Sequence, residues 1–161
     1  GFIKNYADGK YSFAALLPNE GVSIDDYVAS LTGDGLIATL KNAEQSSVET
    51  LLPKFSYEYK IKMNDALAAL GMPTAFDAGA DFSKMGTSPA GNLFIGEVVH
   101  KTYIEVNELG TRAGAVTEVG MQLTAMPLYD HTVTLDRPFV YMIVDNSTDL
   151  PIFIGTVMSI G

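Results

Sequence analysis

A chain of 161 residues that is 47% hydrophobic and 18% charged has enough apolar material to bury a core and too much to stay disordered, and its length fits one domain. A formal net charge of −9 leaves no basic stripe to replace counterions on phosphates, which argues against nucleic acid, and the absence of cysteine excludes disulfides, thiolate metal sites and a cysteine nucleophile. The longest apolar run, Phe139 to Val144, is far shorter than the roughly 20 residues of a membrane-spanning helix, so no membrane partner is expected.

Phe2 to Tyr6, an Asp8-Gly9 turn and Tyr11 to Leu17 read as two strands joined by a hairpin turn, with Pro18 closing the second. Ser23, followed three residues later by Asp26, reads as the cap of a helix over Ile24 to Leu31 that Gly33 ends; a second short helix is expected over Leu36 to Asn42. Val48 to Ile61 reads as extended, with Phe55, Tyr57 and Tyr59 alternating against polar neighbours. Asn64 is expected to cap a helix over Asp65 to Leu70, stopped by Gly71 and Pro73. Leu93 to Val106 reads as a long strand, with Val98, His100, Thr102, Ile104 and Val106 on one face and Val99, Lys101, Tyr103 and Glu105 on the other. Two apolar strands, Phe139 to Val144 and Ile152 to Val157, flank the turn-rich run Asp145 to Asp149. No repeat or linker divides the chain, so residues 1–161 are expected to form a single domain. Its class is α+β, with mostly antiparallel β-sheets and a few short helices.

The segment between Glu108 and Thr124 is unusual. At period two, one face carries Thr111, Ala113, Ala115, Thr117, Val119, Met121 and Leu123, without charge and with four small residues leading. The other carries Arg112, Gly114, Val116, Glu118, Gly120, Gln122 and Thr124. This is the alternation of a half-buried strand, yet its glycines and alanines hold a strand weakly. Such a segment suits a strand that can lie outside a sheet or inside it, and the pattern alone equally allows an ordinary hairpin strand after Gly110.

The run from His100 to Thr117 (HKTYIEVNELGTRAGAVT) resembles the strand and hinge that precede the reactive-centre loop of the serpins, a family of serine protease inhibitors. Other stretches agree in the family's order: Tyr11 to Pro18 (YSFAALLP), Leu52 to Phe55 (LPKF), Leu70-Gly71-Met72 with Ala75-Phe76, Asp81 to Met85 (DFSKM), Arg137 to Ile143 (RPFVYMI) and Pro151 to Val157 (PIFIGTV). The resemblance covers essentially the whole chain and matches the C-terminal half of a domain more than twice as long.

The resemblance implies a serine-type endopeptidase inhibitor, not an enzyme. A protease cleaves the bait loop as a suicide substrate, and the loop then inserts as a new strand in the main sheet. The hinge maps onto Glu108, Gly110, Thr111, Ala113, Ala115 and Thr117, whose small inward members fit a packed interior; Arg112 departs from the acidic or neutral residue common in family hinges, on the outward face. The reactive-centre loop is expected over about 108–130. Fourteen positions after Gly110 lies Thr124, so the expected reactive bond is Thr124 to Ala125. The spacing of 28 residues from Gly110 to Pro138 is longer than in many relatives and leaves Leu123 or Met126 as alternatives. A small or medium apolar bait points to an elastase-like or subtilisin-like serine protease as partner and away from trypsin-like enzymes.

His100 matches the histidine of the family's shutter region, where the sheet opens. Asp130 and His131 lack an accompanying nucleophile motif and read as a surface turn. The Asn146-Ser147-Thr148 sequon sits in a turn, where glycosylation requires a eukaryotic secretory route. No metal ligands cluster, no cofactor is expected, and the seven methionines read as core filling. The first residue, Gly1, suggests a processed chain, a tag remnant or an excised segment. A half-domain would expose a sheet edge, so the expected partners include a missing N-terminal half or a second copy through that edge. The alternative function is a non-inhibitory serpin-like binding or self-assembling module using the same edge. An extracellular or cell-surface location is what the family implies.

Overall fold

The computed structural model describes residues 1–108, 110–111 and 128–160. In chain order its elements are strands β1 (Phe2–Asn5) and β2 (Tyr11–Leu16), helices α1 (Ile24–Ser30) and α2 (Gly33–Lys41), strands β3 (Val48–Leu51) and β4 (Phe55–Lys62), and helix α3 (Asn64–Ala69) with a 3-10 turn at Pro73–Phe76. Strands β5 (Val99–Asn107), β6 (Gly110–Thr111), β7 (His131–Thr134), β8 (Phe139–Asp145) and β9 (Leu150–Val157) follow. The few short helices and mostly antiparallel sheets make the class α+β. The chain forms two compact units, Gly1–Lys54 with Val106–Gly161, and Phe55–Glu105.

The first unit is built on an antiparallel sheet in the order β1-β2-β8-β9. Its interior strand β8 is apolar at six successive positions and buried at all of them, as a strand covered on both faces requires. On one face Ala14, Met142 and Val144 pack against Leu36 and Leu40 of α2. The other face carries a row of rings, one from each strand. Phe2, Phe13, Tyr141 and Phe153 have successive centroids 6.1, 6.4 and 6.1 Å apart. Tyr141, 1% exposed, lies over Gly155 of β9, where a Cβ would stand 2.6 Å from its Cζ.

Polar residues join the two hairpin ends of this sheet. Asn146 donates from its backbone N–H to the Lys10 carbonyl and from Nδ2 to the Gly9 carbonyl, both at 2.9 Å. Its Oδ1 accepts from the Ser12 hydroxyl at 2.6 Å, and the same hydroxyl lies 2.7 Å from the Asn5 side-chain amide. Ser12 is only 2% exposed, so these amides satisfy a hydroxyl that water does not reach. The asparagine of the sequon thus stitches two turns together. Asn146→Ala in the full-length protein is expected to cost about 2 kcal/mol, measured by denaturant unfolding, because it removes the side-chain bond to the Gly9 carbonyl and one of the two amide acceptors around the buried Ser12 hydroxyl.

Capping explains the helices of this unit. The Ser23 hydroxyl accepts from the Asp26 N–H at 3.1 Å and α1 begins at Ile24 as expected. Gly33 does not end it, however. Leu31 is already non-helical, Thr32 caps the next helix by accepting from the Gly35 N–H at 3.1 Å, and Gly33 becomes the first residue of α2. The stretch read as continuously extended from Val48 breaks after Leu51: β3 pairs in parallel with β7, placing Val48 opposite His131, while β4 joins another sheet.

In the second unit, β4 pairs with β5. Ion pairs Lys101–Glu58 at 2.9 Å and Lys62–Glu97 at 3.4 Å lie on its exposed surface. Asn64 is not a helix cap. Met63 holds that position, and the Asn64 side chain instead accepts from the Val98 N–H at 2.9 Å and donates to the Gly96 carbonyl at 3.0 Å. The Val98 carbonyl accepts from the Met63 N–H at 2.8 Å, and the Ile95 N–H donates to the Ala75 carbonyl at 2.9 Å. With their backbone groups so engaged, residues 93–98 do not join the sheet, and the strand expected from Leu93 begins at Val99.

Candidate functional site

The site begins where β5 turns back on itself. Val106 pairs with Thr111 and Asn107 with Gly110, so Gly110 and Thr111 form a short antiparallel strand on the end of β5. Gly110 has φ +114°, a conformation that side chains with a Cβ rarely adopt, which explains why the turn needs glycine there. Thr111 is 6% exposed and pairs with the buried Val106, so its side chain lies on the packed side of this strand pair.

Glu108, in the turn between these strands, is tied to Lys54 by a 2.7 Å bond from Nζ to Oε1. Both side chains are largely exposed, so the pair restrains the turn more than it stabilises the fold. The bond from Lys54, chiefly, holds the Glu108 carboxyl below its ordinary value of 4.5. A lowered carboxylate pKa means the tether is fully present above the ordinary value and is lost as pH falls through the lowered one. At neutral pH it is closed.

Tyr6, at the β1–β2 turn, brings a phenol to the same place. Its Oη is buried and makes no formed hydrogen bond among the described residues. Burial pushes its pKa above 10.0, while the Thr111 side chain pulls in the opposite direction.

The far end of the segment is also tethered. The Asp130 carboxylate accepts from the Ser47 N–H at 3.0 Å and the Ser46 hydroxyl at 3.4 Å, and its N–H donates to the Ser47 carbonyl at 2.8 Å. Asp130 thus fixes the entry to β7; it sits in a bend, but His131 is the exposed first residue of that strand, paired with Val48, and not part of a surface turn. His100 shares its side of β5 with Ile104 and Val106, both buried, yet is itself exposed. Ala113, Ala115 and Thr117 of the hinge, and Leu123, Thr124, Ala125 and Met126 around the reactive bond, lie outside the described residues. Among the described residues no three side chains converge as metal ligands.

Periodicity did not reveal Tyr6, Lys54 or Ser47 as parts of this site. Lys54 lies 54 residues from Glu108 and Ser47 lies 83 from Asp130, distances over which no local pattern carries information. Lys54 does fall within the LPKF motif, the one signal that marked its neighbourhood.

The family model "Serpin (serine protease inhibitor)" matches residues 4–160. A serine protease inhibitor of Cyanea capillata is 32% identical over 155 residues, covering 94% of this chain and 40% of that protein. Leukocyte elastase inhibitor A of Mus musculus is 35% identical over 161 residues, covering 96% of this chain and 42% of that protein. The native-state structure of a thermophilic serpin, tengpin, is 55% identical with a TM-score of 0.85, covering 99% of this chain and 41% of that one. Tengpin in its latent state is 51% identical with a TM-score of 0.79, covering 100% of this chain and 42% of that one. The chain thus spans about 40% of the length of the relatives it matches, corresponding to the C-terminal half read from its motifs. With matches along nearly its whole length in sequence, and over the solved structures in fold, the chain belongs to the serpin family of serine protease inhibitors.

Proposed function

We propose that this chain supplies the bait loop of a serine protease inhibitor that acts by cleavage and strand insertion, and that it needs the remainder of the domain to do so. One observation carries the reading: Gly110 and Thr111 already pair with β5. Continuing that antiparallel register sets Ala113 opposite Ile104, Ala115 opposite Thr102 and Thr117 opposite His100. Ile104 is 1% exposed, so the small residues meet the side of β5 that has least room. The same register sets Arg112 opposite Glu105 and Val116 opposite Lys101, on the solvated side. Arg112 then gains an acidic neighbour across the strands, which accounts for a basic residue in this hinge.

In the proposed reaction the protease serine oxygen attacks the Thr124 carbonyl. The bond to the Ala125 nitrogen breaks, that amine leaves with a proton, and the Thr124 acyl group remains esterified to the protease. Insertion of the freed segment beside β5 carries the protease with it before water hydrolyses the ester. Leu123 or Met126 remains the alternative bait, and any of these suits the shallow pocket of an elastase-like or subtilisin-like enzyme. His100 would lie beside the inserting strand, in the shutter role its motif implies. An extracellular or cell-surface setting belongs to the same reading.

Incubation of the full-length protein with an elastase-type protease tests this. An SDS-stable complex is expected for the full-length protein and none for residues 1–161 alone; complete cleavage without a complex contradicts the reading. A second reading, a non-inhibitory module that assembles through a sheet edge, draws on the pairing of Thr111 with Val106 as a place where a strand can add to β5. It is distinguished by mass in solution, with oligomers forming in the absence of protease.

The Lys54–Glu108 tether gives a separate test. Glu108→Lys in the full-length protein is expected to raise proteolytic nicking at the hinge at neutral pH while leaving the thermal midpoint little changed. The unsubstituted protein should approach that susceptibility only as pH falls below the ordinary glutamate range, because its carboxylate is held ionised by Lys54.

A further inference from the structure

We infer that Asp130 is a positioning residue of the proposed inhibitor: its carboxylate clamps the C-terminal end of the bait loop to the chain entering β3, so that insertion waits for the cut. The inference deepens the inhibitor reading, on which its functional consequence rests, while its structural part stands apart from it. Residues 128–131 are bonded along their backbone to Ser46 and Ser47. The Asp130 Oδ2 accepts from the Ser47 N–H at 3.0 Å and from the Ser46 hydroxyl at 3.4 Å. In return the Ser47 carbonyl accepts from the N–H groups of Asp130 at 2.8 Å and His131 at 3.2 Å, and the Ser47 hydroxyl donates to the Leu128 carbonyl at 3.5 Å.

The clamp matters because the side chains of β7 hold it lightly. The strand pairs with β3 over four residues in the parallel arrangement, the weaker kind per residue. His131, Thr132 and Thr134 are exposed and Val133 is half-buried, so burial contributes little and hydrogen bonds carry the attachment. They are bracketed by the His131 N–H on the Ser47 carbonyl and the Leu135 N–H on the Leu51 carbonyl, the latter at 2.9 Å. Asp130 adds an ionised acceptor at the end where the bait loop arrives, and bonds to ionised groups are the stronger ones.

Chain continuity gives the clamp its effect. Thr111 fixes one end of the intervening segment to Val106, and Asp130 fixes the other to Ser47. Before cleavage, every residue added to a strand on β5 shortens the span left to reach Asp130, so extended insertion pulls on Asp130 and β7. After cleavage the two ends part: the N-terminal piece inserts without that pull, and the clamp keeps the other piece on β3.

Amide hydrogen exchange of full-length wild type, Asp130→Ala and Asp130→Asn tests the clamp without any protease. Asp130 is exposed, so the fold should be retained in both variants. In Asp130→Ala the His131 amide is expected to exchange about three- to tenfold faster, with the amides of β8 unchanged. Asp130→Asn keeps an acceptor oxygen at the same reach and should stay within about twofold of wild type. Incubated alone, Asp130→Ala should lose inhibitory activity faster than wild type by a similar three- to tenfold factor. Its mass should show an uncut chain and its thermal midpoint should rise as the loop joins β5, while Asp130→Asn holds its activity as wild type does. Unchanged His131 exchange in Asp130→Ala, an activity half-life equal to wild type despite faster exchange, or an Asp130→Asn as fast as Asp130→Ala would overturn the positioning role. If exchange behaves as expected while even the wild-type protein forms no complex with protease, the clamp stands and the inhibitor reading fails.

Discussion

Ala113→Asp should convert the full-length protein from an inhibitor into a substrate, whereas Val116→Asp should leave complex formation within about threefold of wild type. Both put one carboxylate into the same segment, three residues apart. Were the pairing of Thr111 with Val106 to continue on insertion, however, the two would face opposite sides of β5. The carboxylate introduced by Ala113→Asp would be driven against Ile104, which has no exposed surface to lend it water, and an unpaired buried carboxylate costs roughly 3–5 kcal/mol. Spread over the competition between insertion and hydrolysis, about 3 kcal/mol is a shift of roughly 100-fold toward hydrolysis. The carboxylate introduced by Val116→Asp would lie on the solvated side, opposite Lys101. Gel separation of complexed and cleaved protein gives both ratios directly, and equal behaviour of the two variants would show that the register does not continue past Thr111.

Gly155→Ala is expected to be the most damaging single-methyl change in the described sheet, costing about 2–4 kcal/mol. The new Cβ would stand 2.6 Å from Tyr141 Cζ and 3.0 Å from Cε1, and the ring has nowhere to go between Phe13 and Phe153. Tyr141→Phe should not rescue the variant, since the clashing ring carbons remain. Tyr141→Leu should rescue part of it, so the two substitutions together cost less than the sum of each alone. Denaturant midpoints of the four full-length proteins provide the check; a Gly155→Ala midpoint equal to wild type would mean that the ring does not lie over β9.

Strands and caps that depend on neighbouring residues were legible in the sequence. The β1–β2 hairpin, α1 with its Ser23 cap, and the β8–β9 hairpin follow from turn residues and apolar runs whose physics is local. Boundaries failed where a distant group took the backbone's bonds. Asn64 looked like a cap, but it supplies hydrogen bonds to Gly96 and Val98 and so delays β5 by six residues from the expected Leu93. Gly33 looked like a stop and is a start because Thr32, one residue earlier, caps α2. Ala113, Ala115 and Thr117 lie outside the described residues, so their small size at period two stands as the basis of the proposed insertion. The bonds from Lys54 to Glu108 and from Ser47 to Asp130 were not legible, because they join parts of the chain that only folding brings near.

In the proposed mechanism the segment after Thr111 adds to β5 as a strand once the bait bond is cut. Thermal unfolding of the full-length protein before and after cleavage in residues 120–127 by a catalytic amount of an elastase-type protease measures this most directly. A new strand paired along β5 should raise the midpoint by at least roughly 10 °C, and the rise should be absent in Ala113→Asp. A midpoint that stays the same or falls after cleavage of the wild-type protein would contradict insertion and leave the assembly reading as the function of this edge.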